Sequence, residues 1–491
     1  MFTATHRSLF FEHLRIPFRV GDPAAAWEAV GERHPLRSAA RFDAANGHGP
    51  RFSAWPRAGD LAAAPQEIRF ASLPLYCRLL DDRTCADWLE ALGEGWHRTQ
   101  PILDAKGRRL GAVWRSARGD SFLPFEPDEA ILNFLSEAYK DVGRSPLRGQ
   151  VSGTALRGYY RVKGAVPRRA QIALRRALSG AQRRTGFPRW PVEPALIDFS
   201  RRLFLLLEDT VGRPIPWIAP WPGSASWALV LTHDVEGRTG YESLHLMRDI
   251  ELEAGLRSSW NLVPSRYDAS RYEVSADDVR LLSAAGFEIG VHGLRHDGRD
   301  LSSLESVQER GPKMREYARR WSAVGFRSPA THRRWEWMPL LGFEYDSSYA
   351  DTDPFEPQGG GCCSWLPYFN DDLVELPITL PQDHTLFTIL RHRDESAWVD
   401  KASRIRNQGG MALMLTHPDY MTDPDRLATY RRFLAQFGGD PSAWYALPRE
   451  VSDWWRRRAA SRVELVGGEW QVVGPAAAEA TLAFEAPRAA G

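Results

Sequence analysis

The stretch WALVLTHDVE, residues 227–236, sets how the rest of this chain is read. Trp227 to Leu231 form an unbroken apolar run, as a strand buried on both faces requires, and polar residues follow at once. Side chains alternate along a strand, so Thr232, Asp234 and Glu236 share one face while His233 and Val235 take the other. Two carboxylates two residues apart at a strand's end can address one ligand, although the same pattern also serves as a cap or a solvated turn. Downstream, β-type runs alternate with helix-length segments: YESLHLMRDIELEAG, SSWNLVP, SADDVRLLSAAG, FEIGVHG, VQERGPKMREYARRW, GFRSP and FEYDSSY. This alternation predicts βα units around a mainly parallel sheet or barrel, with chemistry where strands end.

A second stretch, ALMLTHPDY (412–420), nearly repeats ALVLTHDVE (228–236). The helical segments around the two do not match, so they read as two strand ends rather than a duplication. Their inward phases differ. Thr232, Asp234 and Glu236 are expected to face the site in the first and His233 to turn away, whereas Leu415 and His417 face in from the second.

The chain has 491 residues, 43% hydrophobic and 25% charged, with a net charge of +1. That length implies roughly two to four domains, and the near-zero charge argues against a nucleic-acid partner. The opening MFTATHRSLFFEHLRIPFRV puts His, Glu and Arg where a signal peptide needs an apolar core, so no secretory signal is expected. No apolar run is long enough for a transmembrane segment. Cys77, Cys85, Cys362 and Cys363 lack disulfide-framework or zinc-finger spacing, which fits a reducing, cytoplasmic setting.

Residues 1–150 read as an N-terminal α+β domain of unassigned role, with a hairpin at Gly107–Arg109. Residues 151–222 read as a basic helical connector ending in the Pro-rich GRPIPWIAPWPGSA. Its 159–184 segment is Arg-rich, with Pro167 where a helix could begin and a modest apolar stripe from Ile172 to Ala181. It is a candidate for peripheral membrane contact or, more simply, a solvated packing helix. Residues 223–460 form the βα domain, and 461–491 a short β appendage turning at VGGE.

In GFEIGVHGLRHDGRDL, His292 and His296 stand four apart just after an apolar run. Four residues put two imidazoles on one face of a helical turn, about 6 Å apart, a reach that suits one transition metal. Glycines flank both and let the backbone bend. Two His plus one carboxylate leave coordination positions open for water, as catalytic sites do.

Taken in order, the motifs LTHDVE, HGLRH, GFRSPATHR, YDSSYADTDPF and LMLTHPDY resemble those of the polysaccharide deacetylases of carbohydrate esterase family 4. The resemblance spans Trp227 to Trp455 and implies a deformed (β/α) barrel holding one divalent metal, Zn2+ first, with Co2+, Ni2+ or Mn2+ as alternatives. It implies Asp234 as catalytic base, His292 and His296 as metal ligands, and Arg327 against the base with Pro329 shaping its turn. It further implies Asp346 lining the site, Leu415 at the acyl methyl and His417 as general acid. The usual pattern has a second Asp directly after the base, and here Val235 stands there. Glu236 is then the third ligand, with Asp297 or water as fallback.

The expected reaction is removal of an N-acetyl group from an amino-sugar of a glycan or glycan precursor. Asp234 activates a metal-bound water, and His417 protonates the departing amine. Nearby, HRRWEWM offers Arg333 and the indoles of Trp335 and Trp337 to the sugar, although tryptophans beside apolar runs also simply pack. PQDHTLF ends a further apolar run with Asp383 and His384, either rim residues or an ordinary turn. Hydrolysis of another non-peptide C–N bond and a silent carbohydrate-binding scaffold are the competing readings.

Overall fold

The computed structural model describes residues 1–44, 51–142, 168–182, 186–264 and 272–489. Backbone contacts divide the chain into two compact units, one of Met1–Gly149, Pro194–Ala219 and Arg457–Gly491, the other of Gln150–Glu193 and Pro220–Arg456.

The second unit is a mixed α/β fold built on a curled sheet. Its elements are β1 (Trp227–Val235), α1 (Arg238–Glu253), β2 (Ser259–Leu262), α2 (Ala276–Ala284), β3 (Glu288–Val291) and α3 (Leu304–Trp321). They continue as β4 (Gly325–Phe326), β5 (Tyr345–Asp346), β6 (Tyr368–Asn370), β7 (Leu373–Glu375), α4 (Ser396–Gln408), β8 (Met411–Thr416), α5 (Pro424–Phe437) and β9 (Ala443–Tyr445). The strands lie in the order β6-β7-β5-β4-β3-β2-β1-β8, all parallel except the β6–β7 pair, and β9 also pairs with β1. All nine residues of β1 are buried. This is why its apolar run does not alternate: both faces of the strand are covered.

The sheet curls until the chain beyond β7 meets β8. Thr379 and Leu380 donate backbone N–H groups to Leu413 O, and Thr379 Oγ1 donates to Met411 O. Register then fixes which side chains meet. Thr232 pairs with Ser259 on one side and Leu415 on the other, and Asp234 pairs with Asn261. The C-terminal ends of β1, β2, β3, β4 and β8 therefore open onto one rim. The helix Arg168–Gln182 lies in this unit, and its Arg175 and Arg176 donate to the carbonyls of Phe355 and Thr388. Residues 159–167 and 183–184 of the basic segment, Pro167 included, lie outside the described residues.

The first unit centres on a nine-stranded mixed sheet. Its order is Phe18–Val20, Phe2–Ala4, Ala40–Ala44, Arg51–Trp55, Ser121–Phe122, Arg109–Arg115, His97–Leu103, Gln66–Phe70, Leu73–Cys77. The expected hairpin is present: His97–Leu103 and Arg109–Arg115 pair antiparallel around Gly107. The helix Ala195–Val211 buries Phe199, Leu203, Phe204 and Leu207, and Thr210 shares a hydroxyl network with Ser53 and Ser121. The VGGE turn joins Arg462–Val466 to Glu469–Val473, and Leu482–Ala483 pairs with Trp217–Ile218. All four cysteines are buried thiols. Among the described residues no helix is long and apolar enough to cross a membrane.

Candidate functional site

Asp234 and Glu236 leave the end of β1 on the rim side, as strand alternation requires. Asp234 is buried, and its Oδ1 accepts from Asn261 Nδ2 at 2.8 Å on the neighbouring strand. Gly290 on β3 makes room for that amide, because a Cβ there would stand 2.0 Å from Asn261 Oδ1. Arg327, fully buried after β4, brings Nη1 to 3.6 Å from Asp234 Oδ1, while its Nη2 donates to Ser347 Oγ and Thr232 Oγ1. Burial alone would raise the Asp234 carboxyl. The facing His292, Arg327 and His417, with the Asn261 amide, instead hold it below the usual carboxylate range.

His292 and His296 come together beside this carboxylate, their ring centroids 5.0 Å apart. The Nδ1 of His292 bonds the carbonyl of Arg327 at 3.1 Å, and its buried Nε2 has no hydrogen-bond partner among the described residues. Burial, against the pull of Asp234, pushes His292 down to about 4, so the ring is neutral with a free lone pair. His296 reaches the same spot through a left-handed backbone, φ 54°, and its Nε2 lies 3.0 Å from Glu236 Oε1. Gly293 makes that path possible: at φ +64° a Cβ would fall 2.4 Å from Asp300 Oδ2 and 2.5 Å from Pro329 Cγ. Ligand atoms of Glu236, His292 and His296 all lie within 4.8 Å of one another. The Asp297 fallback is engaged elsewhere, its two carboxylate oxygens gripped by Arg310 at 2.7 and 2.9 Å.

Across the rim, His417 follows β8 and is buried. Asp383 holds it twice, Oδ2 accepting the His417 backbone N–H at 2.8 Å and Oδ1 bonding Nδ1 at 2.7 Å. Burial works against charge on this ring. Asp383, with Glu236 and Asp234 behind it, outweighs burial and pushes His417 up to about 10. Asp383 is the group that sequence reasoning left between rim and turn. Asn261 was not singled out at all, although an Asn in the site-facing phase of SSWNLVP is the signal that marks it.

The remaining sequence candidates have defined surroundings. Leu415 is buried on β8, on the same side of the strand as His417. Asp346 is buried and accepts from Ser348 Oγ and Ser348 N, and Glu375 also accepts from Ser348 N. Burial raises both carboxyls, and the facing Asp346 raises Glu375 further. Arg333 is buried, donates Nη1 to Thr331 O and lies 5.3 Å over the Tyr349 ring. Trp335 stacks on Tyr368 at 6.2 Å, and Trp337 lies under Arg334 at 5.4 Å; both indoles stay half-buried.

His233, adjacent to Asp234, points to the opposite side of β1. Its Nε2 bonds Glu251 Oε1 at 2.6 Å and its Nδ1 bonds Thr416 Oγ1 at 2.7 Å. Tyr430 and Ser258 also donate to Glu251. The two near-repeats are thus laced together behind the sheet by His233 and Thr416, while Asp234 and His417 face the rim.

No family model matches the sequence, and no curated protein matches it. Solved structures do resemble it. A protein from Mycobacterium smegmatis assigned as a polysaccharide deacetylase aligns at 21% identity over 51% of this chain and 98% of its own, TM-score 0.40. The PuuE allantoinase aligns at 17% identity over 48% and 92%, TM-score 0.39. The family 4 carbohydrate esterase from Streptomyces lividans, solved with acetate, aligns at 15% identity over 45% and 91%, TM-score 0.30. Solved structures to which this chain is similar include polysaccharide deacetylases, a family 4 carbohydrate esterase and an allantoinase.

Proposed function

We propose that the chain is a metal-dependent hydrolase that removes an N-acetyl group from an amino-sugar. One observation carries this reading: a buried carboxylate, a His-His-Glu cluster and a carboxylate-bound imidazolium converge on one rim. A helix cap or an isolated pair of surface histidines would need none of the other two.

The cluster fits a divalent cation. Glu236, His292 and His296 would hold it: a ligand atom of each lies within 4.8 Å of the others, and His292 Nε2 is buried. The donor set of two imidazoles and one carboxylate suits Zn2+ and leaves positions open. When bound, the cation supplies Lewis acidity to a water and to the amide carbonyl oxygen.

The chain's own groups do the rest. Asp234, ionised and held by Asn261 and Arg327, takes a proton from the attacking water as its oxygen bonds the acetyl carbon. Arg327 keeps that carboxylate charged and oriented. His417, its Nδ1 bound to Asp383, carries the second proton on Nε2 and delivers it to the amine nitrogen as the C–N bond breaks. Water and amide become acetate and free amine. Leu415 supplies an apolar surface for the acetyl methyl, and Trp335 or Trp337 an indole face for a sugar ring.

The test is metal analysis of the purified protein together with amine release from N-acetylated sugar oligomers. One equivalent of divalent metal, turnover abolished by chelation, and loss of metal in His292→Ala are expected. Stoichiometric metal in His292→Ala would rule out the cluster as the binding site. Glycan binding without turnover by the fully metallated protein would favour a scaffold.

A further inference from the structure

Glu236 lies beyond the last residue of β1, on the turn into α1, so its ligand role needs a fixed backbone where no strand supplies one. The N-cap position of α1 is Gly237, which has no side chain to bond the exposed N–H groups. Asp419, two residues past His417, meets those groups instead. Its Oδ2 accepts from Glu236 N at 2.9 Å and Gly237 N at 3.3 Å, and its Oδ1 accepts from Gly240 N at 3.1 Å. Gly240 is shaped for this contact: a Cβ there would stand 2.1 Å from Asp419 Oδ2 and 2.9 Å from its backbone N. Tyr420 adds a bond at the other end of the ligand, its hydroxyl donating to Glu236 Oε2 at 3.4 Å while its ring lies edge-on to His417 at 5.4 Å.

We propose that Asp419, seconded by Tyr420, is the positioning residue that makes Glu236 a metal ligand and ties it to the strand carrying His417. The inference rests on the metal-site reading above and deepens it. Glutamate has one more rotatable bond than aspartate, so ordering it costs more side-chain entropy. Fixing its backbone through Asp419 and its Oε2 through Tyr420 leaves Oε1 turned towards His296, 3.0 Å away. An outer contact of this kind sets ligand orientation, and its loss commonly weakens metal binding by about 10–100-fold. A plain helix cap would lower stability and leave the metal site alone, which separates the two roles.

The experiment is titration of the metal-free, full-length protein with Co2+, read by calorimetry and by the visible d–d absorption of the bound ion. Wild type should take up one equivalent. Asp419→Asn should bind about 10–100-fold more weakly, with an altered d–d envelope and an unchanged far-ultraviolet spectrum. Gly240→Ala pushes the same carboxylate away without removing it. It should weaken binding in the same direction, and less than additively when combined with Asp419→Asn. Asp419→Asn binding within twofold of wild type, with the same absorption, would reduce Asp419 to a helix cap while leaving the metal reading intact. Should Asp419→Asn fail to fold, Gly240→Ala decides, and unchanged Co2+ affinity there overturns the proposal. A folded wild type that binds no Co2+ removes the metal reading and this inference together.

Discussion

The charge of Asp383 and its bond to the ring outweigh burial and keep His417 an imidazolium at neutral pH. The proposed general acid must carry its proton, so turnover should hold through neutrality and fall on the alkaline side, above the free imidazole's value, as His417 loses it. Asp383, Glu236, Asp234 and the Tyr420 ring surround this imidazole, and Asp383 is the largest of the influences that raise it. Asp383→Asn should therefore move the alkaline limb of the kcat profile to lower pH; an unmoved limb would detach His417 from that limb. The linkage sign follows from the raised value. The pair's contribution to folding is complete below about pH 6.5, the free imidazole's value, and is lost as pH rises through about 10. At the base, Asp234→Asn should cost on the order of 10²–10⁴-fold in kcat, since an amide cannot take the proton.

Among the elements, β1 and β8 each carry Thr-His at or just past the C-terminal end of the strand and use the letters differently, because their phases are offset by one residue. His233→Ala would leave the fully buried Glu251 without its imidazole, so unfolding in urea should show a loss of roughly 2–4 kcal/mol. The alkaline limb and metal affinity should be unchanged, and a shift in either would place His233 in the site. Gly290→Ala would drive Asn261 off Asp234 and should lower kcat by up to about 10²-fold with KM little changed. Strand periodicity made Asp234, Glu236 and their inward phase legible, and the spacing of His292 and His296 made that pair legible. The role of Asp383 was not, because it reaches His417 from the N-cap of the helical segment His384–Leu390, 34 residues away, with no period to align the two. Asn261 was hidden for another reason: one polar residue in a short apolar run looks like an interruption until register sets it opposite Asp234.

At the scale of the molecule, alternating apolar runs and helices revealed the α/β sheet, since each βα unit carries a local pattern. Pairings that span the chain leave no such pattern. Trp217–Ile218 bonds to Leu482–Ala483, and nothing in either dipeptide announces the other. A cation bound only by the folded state adds about 4 kcal/mol at a thousandfold excess over its Kd. Chelation should therefore lower the Tm of wild type and leave that of His292→Ala unmoved; equal shifts would locate the stabilising metal elsewhere. The proposed hydrolysis of an N-acetyl group, with Asp234 as base, is measured by acetate release from an N-acetylated amino-sugar oligomer, using protein loaded with one equivalent of Zn2+. Steady release by wild type and near-complete loss in equally loaded Asp234→Asn is the predicted result. Equal release by the two, or none from loaded wild type across N-acetylated sugars, would contradict it.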